Sequence, residues 1–283
     1  MSTKNLNHIL EKENKKPILF DLFLKKDGKK KAVVIFCHGY KGFKDWGAWN
    51  LVAESFSRSN FFFLKFNFSH NGGTVRNPID FPDLDSFGNN NFSLELEDLN
   101  RVIDWILTNK EYENEIDHND ITLVGHSRGG GIVLIKASES KKIKRVITWA
   151  GVRDFKERFK IGSTEFKLWE QKGVTYIENG RTKQMMPHYF QFFEDFLKNE
   201  SKFNIESAVG KLRIPYLVVH GEKDTSVEPK NGESLFSWNK NNEIFRVAGG
   251  DHTFSSKHPW DSKDLPNELN KVVKKTIDFI ISS

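Results

Sequence analysis

The chain has 283 residues, with 13% aromatic side chains, a single cysteine and a formal net charge of +5. This composition argues against a wholly disordered chain and a disulfide-stapled fold, and no apolar run approaches the roughly 18 residues of a membrane-spanning helix. The lysines and arginines are scattered, so we expect no nucleic-acid partner, and a polar first segment with one thiol indicates a cytoplasmic location.

Short apolar runs rich in Val, Ile and Phe alternate with longer stretches of helical period. Uninterrupted hydrophobicity is typical of parallel strands that are buried on both faces. We predict such strands at residues 32–37, 61–66, 121–124, 145–149, 216–219 and 244–247. Residues 18–24 precede them and are predicted to form an antiparallel edge strand.

The stretches between the strands predict helices with one apolar face. The first runs from about Leu94 to Leu107, and the second starts right after Val124. The last is predicted to begin with Asp264 as a cap and Pro266 in the first turn. Alternation of strands and helices predicts an α/β fold, in which helices flank an open, twisted and mostly parallel sheet.

Residues 152–212 interrupt this alternation. The segment is too long for an ordinary connection, and it is rich in aromatic side chains. Asn179-Gly180 predicts a tight hairpin turn, and residues 188–197 are predicted to form a short aromatic helix. We therefore expect a core of residues 1–151 and 213–283, with residues 152–212 as a folded insertion on one face of the sheet.

A serine lies between a predicted strand and a predicted helix, in Gly125-His126-Ser127-Arg128-Gly129. A sharp turn of this kind exposes the serine hydroxyl, and glycines flank it because side chains would clash there. The alternative is a glycine-rich turn with a spectator serine. The pattern predicts Ser127 as a nucleophile.

A serine hydroxyl needs a base that takes its proton and an acid that orients the base. The expected order along the chain is serine, acid, histidine. Asp224 follows the fifth of the predicted parallel strands and is the predicted acid, with Glu222 and Glu228 as nearby competitors. His252 follows the last strand and is the predicted base, with His258 as a competitor.

Acyl transfer also needs two N–H groups that bind the developing oxyanion. We predict that the backbone N–H groups of Arg128 and Tyr40 supply them, the latter from the loop His38-Gly39-Tyr40. We interpret His38 as a structural histidine and Cys37 as a small core residue. The histidines show no spacing typical of metal ligands, so we expect no metal and no cofactor.

Four motifs in this order resemble the α/β-hydrolase superfamily over nearly the whole chain. They are His38-Gly39-Tyr40, Gly125-His126-Ser127-Arg128-Gly129, His220-Gly221-Glu222-Lys223-Asp224 and Gly250-Asp251-His252. The chain is most similar to the compact group of dienelactone hydrolases, feruloyl esterases and serine-aminopeptidase-like enzymes. The resemblance implies a Ser127, Asp224, His252 triad and a lid at residues 152–212. Dienelactone hydrolases usually have a cysteine nucleophile, and this chain differs from them there.

We therefore expect a serine hydrolase that cleaves small or medium-sized carboxylic esters, with Trp169, Phe190 and Phe193 of the lid lining the acyl pocket. The partner is then a small-molecule ester, and no membrane is involved. An aminopeptidase or amidase with the same triad would need an acidic anchor for a substrate amine. Four glutamates could supply that anchor: Glu165, Glu170, Glu178 and Glu194. A binding protein without catalysis is the third hypothesis.

Overall fold

The computed structural model describes residues 2–283, and its strands form one large sheet and one hairpin. The strands of the large sheet are β1 Ser2–Leu10, β2 Ile18–Lys25, β3 Lys31–Cys37, β4 Phe62–Phe66, β5 Ile116–His126, β6 Ile143–Trp149, β9 Tyr216–Gly221 and β10 Asn242–Val247. The hairpin strands are β7 Val174–Glu178 and β8 Met185–Tyr189. Within residues 2–283 the large sheet has eight strands in the order β1-β2-β4-β3-β5-β6-β9-β10.

The six strands from β4 to β10 in this order are parallel, which confirms the predicted α/β class. β2 pairs with β4 antiparallel, as expected, but the prediction that it forms the edge is wrong. β1 pairs along its outer side, from Ser2 opposite Lys25 to Leu10 opposite Ile18. The seven residues from Ile18 to Leu24 are all buried, which suits an internal strand. The sequence of β1 is mostly polar and does not have the apolar pattern of a strand, so the prediction did not include β1 as the edge strand.

The helices cover both faces of the sheet. They are α1 Trp49–Arg58, α2 Leu84–Gly88, α3 Phe92–Thr108, α4 Arg128–Glu139, α5 Thr164–Lys172, α6 Gln191–Lys198, α7 Ile205–Lys211, α8 Lys230–Ser237 and α9 Asn267–Ser282. On β3, Val33 and Ile35 pack with α3, α4 and α7 in one apolar cluster, whereas Val34 and Phe36 pack with α1 and α9 in another. This alternation explains why the four consecutive β3 residues from Val33 to Phe36 are all apolar.

The last helix begins at Asn267 with Pro266 at the cap position, and no side chain caps it. The prediction of Asp264 as the cap is therefore wrong, because Asp264 lies too far before the helix to reach its first N–H groups. Its backbone carbonyl instead accepts a hydrogen bond from the indole of Trp260 at 3.1 Å.

Residues 152–212 connect β6 to β9 and contain α5, β7, β8, α6 and α7. Strands β7 and β8 form the expected hairpin, but the turn spans residues 179–184 rather than two residues, because Glu178 pairs with Met185. The predicted helix at 188–197 begins later, at Gln191, since His188 and Tyr189 belong to β8. Aromatic side chains of the segment continue the apolar cluster on the α4 side of the sheet.

Candidate active site

Ser127 lies at a sharp turn between β5 and α4. Its φ of +56° and ψ of −121° are rare for a residue with a side chain. The turn packs so tightly that a Cβ on Gly125 would lie 2.3 Å from the carbonyl oxygen of Gly129. A Cβ on Gly129 would lie 2.6 Å from the carbonyl oxygen of Cys37. Only glycine fits at these two positions, so the sequence motif has a direct steric cause.

Asp224 and His252 follow β9 and β10, which are adjacent parallel strands. The two loops lie against each other because a Cβ on Gly221 would lie 2.3 Å from the carbonyl oxygen of Gly250. The Lys223 N–H also donates to the Gly250 carbonyl at 2.9 Å. This close contact aligns the two loops at the carboxyl end of the sheet, where open α/β sheets bind their ligands.

The structure brings the three predicted side chains together. The His252 Nδ1 atom lies 2.8 Å from Asp224 Oδ2, and His252 Nε2 lies 3.0 Å from Ser127 Oγ. With Nδ1 donating to the carboxylate, Nε2 carries the lone pair that faces the serine hydroxyl. The Asp224 and Ser127 residues are buried, whereas the imidazole of His252 is 21% exposed. The arrangement can remove a proton from Ser127.

The Asp224 carboxylate is held in its charged form. Burial alone would raise its pKa, but the nearby His220 and His252 side chains and the backbone N–H of Val227 outweigh burial and lower the pKa below its ordinary value. The second oxygen, Oδ1, accepts the N–H groups of Ser226 and Val227 at 2.8 Å each. The carboxylate is thus fixed in position and charge beside the imidazole.

Two further histidines, His126 and His220, contact the loops that carry His252 and Asp224. His126 Nε2 donates to the carbonyl oxygen of His252 at 2.9 Å, and burial together with the neighbouring His252 lowers the pKa of His126 to about 3. His220 Nε2 donates to the Val227 carbonyl at 2.8 Å and lies 3.5 Å from Asp224 Oδ2. Both histidines occur inside the sequence motifs, but their supporting roles depend on tertiary contacts that the motifs do not reveal.

The loop after β3 lies directly against the nucleophile. A Cβ on Gly39 would lie 2.8 Å from Ser127 Cβ, so the next residue, Tyr40, is held beside the serine. Arg128 is the first residue of α4, and its N–H therefore has no partner inside the helix. His38 is buried and donates from Nδ1 to the Gly39 carbonyl at 2.8 Å, while its Nε2 accepts from the Phe68 N–H at 3.3 Å.

Side chains of the two predicted oxyanion residues pack on each other. The guanidinium of Arg128 lies 5.0 Å from the Tyr40 ring centre and donates to Glu95 Oε1 at 2.5 Å. The Tyr40 hydroxyl lies 2.8 Å from His188 Nε2, and burial raises the Tyr40 pKa to about 12. Glu95 and His188 are far away in sequence, and nothing in their local patterns indicates this site.

Two cavities meet at Tyr40. The first, which we call the serine cavity, is about 440 Å³ and is lined by Ser127 and His252 together with Trp46, Trp49 and His258. Three basic side chains also line it: Lys41, Arg181 and Lys257. None of its lining residues is an aspartate or glutamate.

The second cavity, which we call the aromatic cavity, is about 540 Å³. Its aromatic lining consists of Tyr40, Phe92, Phe155, Phe159, Phe166, Trp169 and Phe192. Trp169 is thus part of the lining, whereas Phe190 and Phe193 lie behind it. Their rings pack at 5.2 Å from Trp169 and 4.8 Å from Phe166, respectively. Arg128 also lines this cavity, so both cavities adjoin the nucleophile turn.

The competing candidates lie elsewhere. Glu222 is exposed, Glu228 pairs with Lys230 at 2.6 Å, and His258 Nδ1 accepts the Gly47 N–H at 2.9 Å. Glu165 is the only one of the four candidate amine anchors among the residues that line the described cavities. Within residues 2–283, no cluster of three His, Cys, Asp or Glu residues could hold a metal ion. No helix of that part of the chain has the length and apolarity needed to cross a membrane.

Comparisons with known proteins agree with this architecture. A Mycoplasma genitalium protein named "Putative esterase/lipase 2" is 24% identical over 256 residues, which cover 84% of this chain and 88% of that protein. The structure of Est1E from Butyrivibrio proteoclasticus has a TM-score of 0.70 at 16% identity, covering 98% of both chains. A dienelactone hydrolase from Anabaena variabilis has a TM-score of 0.64 at 14% identity, covering 99% of this chain and 98% of that chain.

The BD-FAE family model matches residues 20–238, which is most of the chain. The resemblance found in the sequence motifs is therefore confirmed. The chain belongs to the BD-FAE family, within the α/β-hydrolase superfamily, and is an esterase-type hydrolase.

Proposed function

We propose that this protein is a serine hydrolase of carboxylic esters that works through an acyl-enzyme on Ser127. The proposal depends above all on the hydrogen-bonded series from Asp224 through His252 to Ser127, with separations of 2.8 and 3.0 Å. A serine in a strand-to-helix turn, a histidine base and an acid that orients it are what nucleophilic acyl transfer requires.

The reaction proceeds in two halves. His252 Nε2 takes the proton of Ser127 as Oγ attacks the ester carbonyl, and the N–H groups of Tyr40 and Arg128 bind the resulting oxyanion. His252 then gives that proton to the leaving alkoxide oxygen, which frees the alcohol and leaves the acyl group on Ser127. A water molecule, deprotonated by His252, attacks the acyl-enzyme and releases the acid.

The two cavities take the two halves of the ester. The leaving oxygen must receive its proton from His252, so the alcohol half lies in the serine cavity, which His252 lines. The acyl half points past Tyr40 and Arg128 into the aromatic cavity, which His252 does not line. Seven aromatic side chains there favour an apolar or aryl acyl group.

Residues 152–212 act as a lid in this proposal. They supply Phe155, Phe159, Phe166, Trp169 and Phe192 to the aromatic cavity. The lid also contacts the oxyanion loop through the 2.8 Å hydrogen bond between Tyr40 and His188. A lid with these contacts excludes water from the acyl half of the substrate.

The charges of the cavities favour an ester over an aminoacyl substrate. A substrate amine needs a carboxylate anchor, but no aspartate or glutamate is among the lining residues of the serine cavity. Glu165 lines the aromatic cavity, where it is accompanied by Arg128, Arg158 and Lys160. This excess of positive charge repels a cationic amine.

The test is hydrolysis of p-nitrophenyl esters from acetate to decanoate, beside a panel of aminoacyl anilides. We expect ester hydrolysis with an optimum at one chain length, no anilide cleavage, and a loss of about 10⁴-fold or more in kcat/KM for Ser127→Ala. Ser138→Ala, on α4 away from the site, is the matched control and keeps wild-type rates. Equal rates for wild type and Ser127→Ala would refute the proposal. Anilide cleavage without ester hydrolysis would favour the amidase.

A further inference from the structure

The serine cavity has a charge imbalance that ester hydrolysis does not require. Its lining includes Lys41, Arg181 and Lys257 but no carboxylate. Arg181 is neutralised by an ion pair with Asp80. Neither Lys41 nor Lys257 has a carboxylate within 4.0 Å anywhere in residues 2–283. Two positive charges in this cavity are therefore left without an anionic partner.

Lys41 is the more unusual of the two. The residue as a whole is partly buried, and its ammonium donates to the backbone carbonyl of Glu178 at 3.1 Å. It lies 5.2 Å from the ring centre of Tyr40. Burial lowers the pKa of Lys41, and no neighbouring carboxylate offsets that effect. An ammonium has three N–H donors, so the carbonyl leaves donors available to a further acceptor.

The backbone of Lys41 has a conformation that is uncommon for lysine. Its φ of +54° is in the left-handed region, which glycine or asparagine adopts at lower cost than lysine. A lysine in this conformation directly follows Tyr40, the proposed oxyanion residue. The side chain therefore has a fixed origin close to the reacting carbonyl. Lys257, which follows His252 in the chain, lines the same cavity.

We infer that the alcohol half of the substrate bears an anionic group, a carboxylate or phosphate, that binds Lys41 and Lys257 in the serine cavity. This inference rests on the proposed function, because the proton donor His252 assigns that cavity to the alcohol half. An anion there offsets positive charge in the cavity and makes charge-assisted hydrogen bonds with the two ammonium groups. The positive cavity also draws anionic esters toward Ser127.

The experiment compares two acetyl esters that differ only in charge, 4-acetoxybenzoate and 4-acetoxybenzamide. The carboxylate and the carboxamide have nearly the same shape, and the acyl group is identical. The ratio of their kcat/KM values, divided by the ratio of their rates with hydroxide, isolates recognition of the charge. We expect this normalised kcat/KM ratio to be about ten in favour of the benzoate at low salt. The ratio should fall as ionic strength rises.

The variants Lys41→Met, Lys257→Met and the double variant locate the effect. We expect the ratio to fall toward one, most strongly in the double variant, while Lys274→Met on the exposed side of α9 keeps the wild-type ratio. Because both esters share the same oxyanion, damage to the oxyanion loop lowers both rates and cancels in the ratio. The salt dependence of the wild-type ratio gives a second readout that needs no variant.

Two failures are distinguishable. If both esters are hydrolysed by Ser127 with a ratio near one, the anion site is wrong and the esterase stands. A ratio that persists in the double variant would also overturn the inference. If neither ester nor any member of the p-nitrophenyl series is hydrolysed, the proposed function itself fails.

Discussion

The backbone of Ser127 and the buried histidines around it show how individual residues prepare the site. A non-glycine residue at φ of +56° persists only where the surroundings enforce it, and here the packed glycines of the turn do so. His38 and His126 are buried and neutral. Both ring nitrogens of His38 have hydrogen-bond partners, and Nε2 of His126 donates to the His252 carbonyl. The oxyanion loop and the His252 loop are thereby fixed by uncharged groups.

These histidines make stability depend on pH. Burial is the main cause that lowers the pKa of His38 to about 4, from an ordinary value of 6.5. The unfolded chain binds this proton near pH 6.5 and the folded chain does not until about pH 4. The stability that neutral His38 contributes to the folded chain is therefore fully present above pH 6.5, and it is lost progressively as the pH falls toward 4.

We expect His38→Gln to reduce this pH dependence. Between pH 7 and pH 5 the histidine accounts for a loss of about 2 kcal/mol in the free energy of unfolding, and the variant lacks that loss. Urea unfolding of wild type and variant at pH 7 and pH 5 measures this loss. The quantity compared is the change in the free energy of unfolding between the two pH values, so a constant effect of the substitution on stability cancels. An equally large loss in the variant would contradict the assignment of a buried neutral imidazole.

At the scale of elements, the close approach of α4 to β5 and β3 positions the nucleophile. Gly125 and Gly129 permit this approach, because the atoms that a Cβ would meet are backbone atoms that cannot move aside. Gly210 in α7 provides a contrast, since nothing lies within 4 Å of the position where its Cβ would be.

Glycine-to-alanine substitutions at these two sites should act in opposite directions. We expect Gly125→Ala to destabilise the protein by about 3 kcal/mol. Gly210→Ala should stabilise it by about 0.5–1 kcal/mol, because alanine is the better helix former and no contact opposes it. Thermal and urea unfolding measure both. Equal effects at the two positions would show that the turn is not closely packed.

Strand β7 presents alternate residues to the aromatic cavity. Thr175 and Ile177 line the cavity, and Tyr176 between them does not, as expected for a strand whose side chains alternate between two faces. Ile177 and Tyr176 are both about half exposed, so larger side chains fit at either position without disturbing the core.

We expect Ile177→Trp to narrow the acyl site. Hydrolysis of p-nitrophenyl decanoate should fall about tenfold relative to the acetate, because the indole occupies part of the cavity. Tyr176→Trp adds a similar ring on the opposite face and should leave the chain-length profile unchanged. Identical profiles for the two variants would show that the acyl group does not enter the aromatic cavity.

For the whole molecule, the sequence predicts the parallel strands and the motif residues that follow them. Ser127, Asp224 and His252 are far apart in the chain, yet each follows a strand, and carboxyl ends of parallel strands meet at one edge. This rule is sufficient to bring the three residues together. It works because the local signals, apolar runs and flanking glycines, are strong where the strands are buried.

Other features depend on contacts that no local pattern reveals. β1 is polar and covers an apolar β2, so the outer strand could not be distinguished from a loop. The Glu95–Arg128 ion pair and the Tyr40–His188 hydrogen bond join residues 33 and 148 positions apart. Their partners are chosen by tertiary packing, which also decides that Trp169 lines the cavity whereas Phe193 packs behind it.

The nucleophilic role of Ser127 is tested most directly by labelling with a serine-directed fluorophosphonate, followed by peptide mass mapping. We expect one phosphonyl adduct on Ser127, loss of ester hydrolysis in proportion to labelling, and no adduct in Ser127→Ala. Phosphorus takes the place of the ester carbonyl in this reaction, so labelling reports the same nucleophile, base and oxyanion donors. Ester hydrolysis that survives complete labelling, or inactivation with the adduct on another residue, would contradict the assignment of Ser127 as the nucleophile.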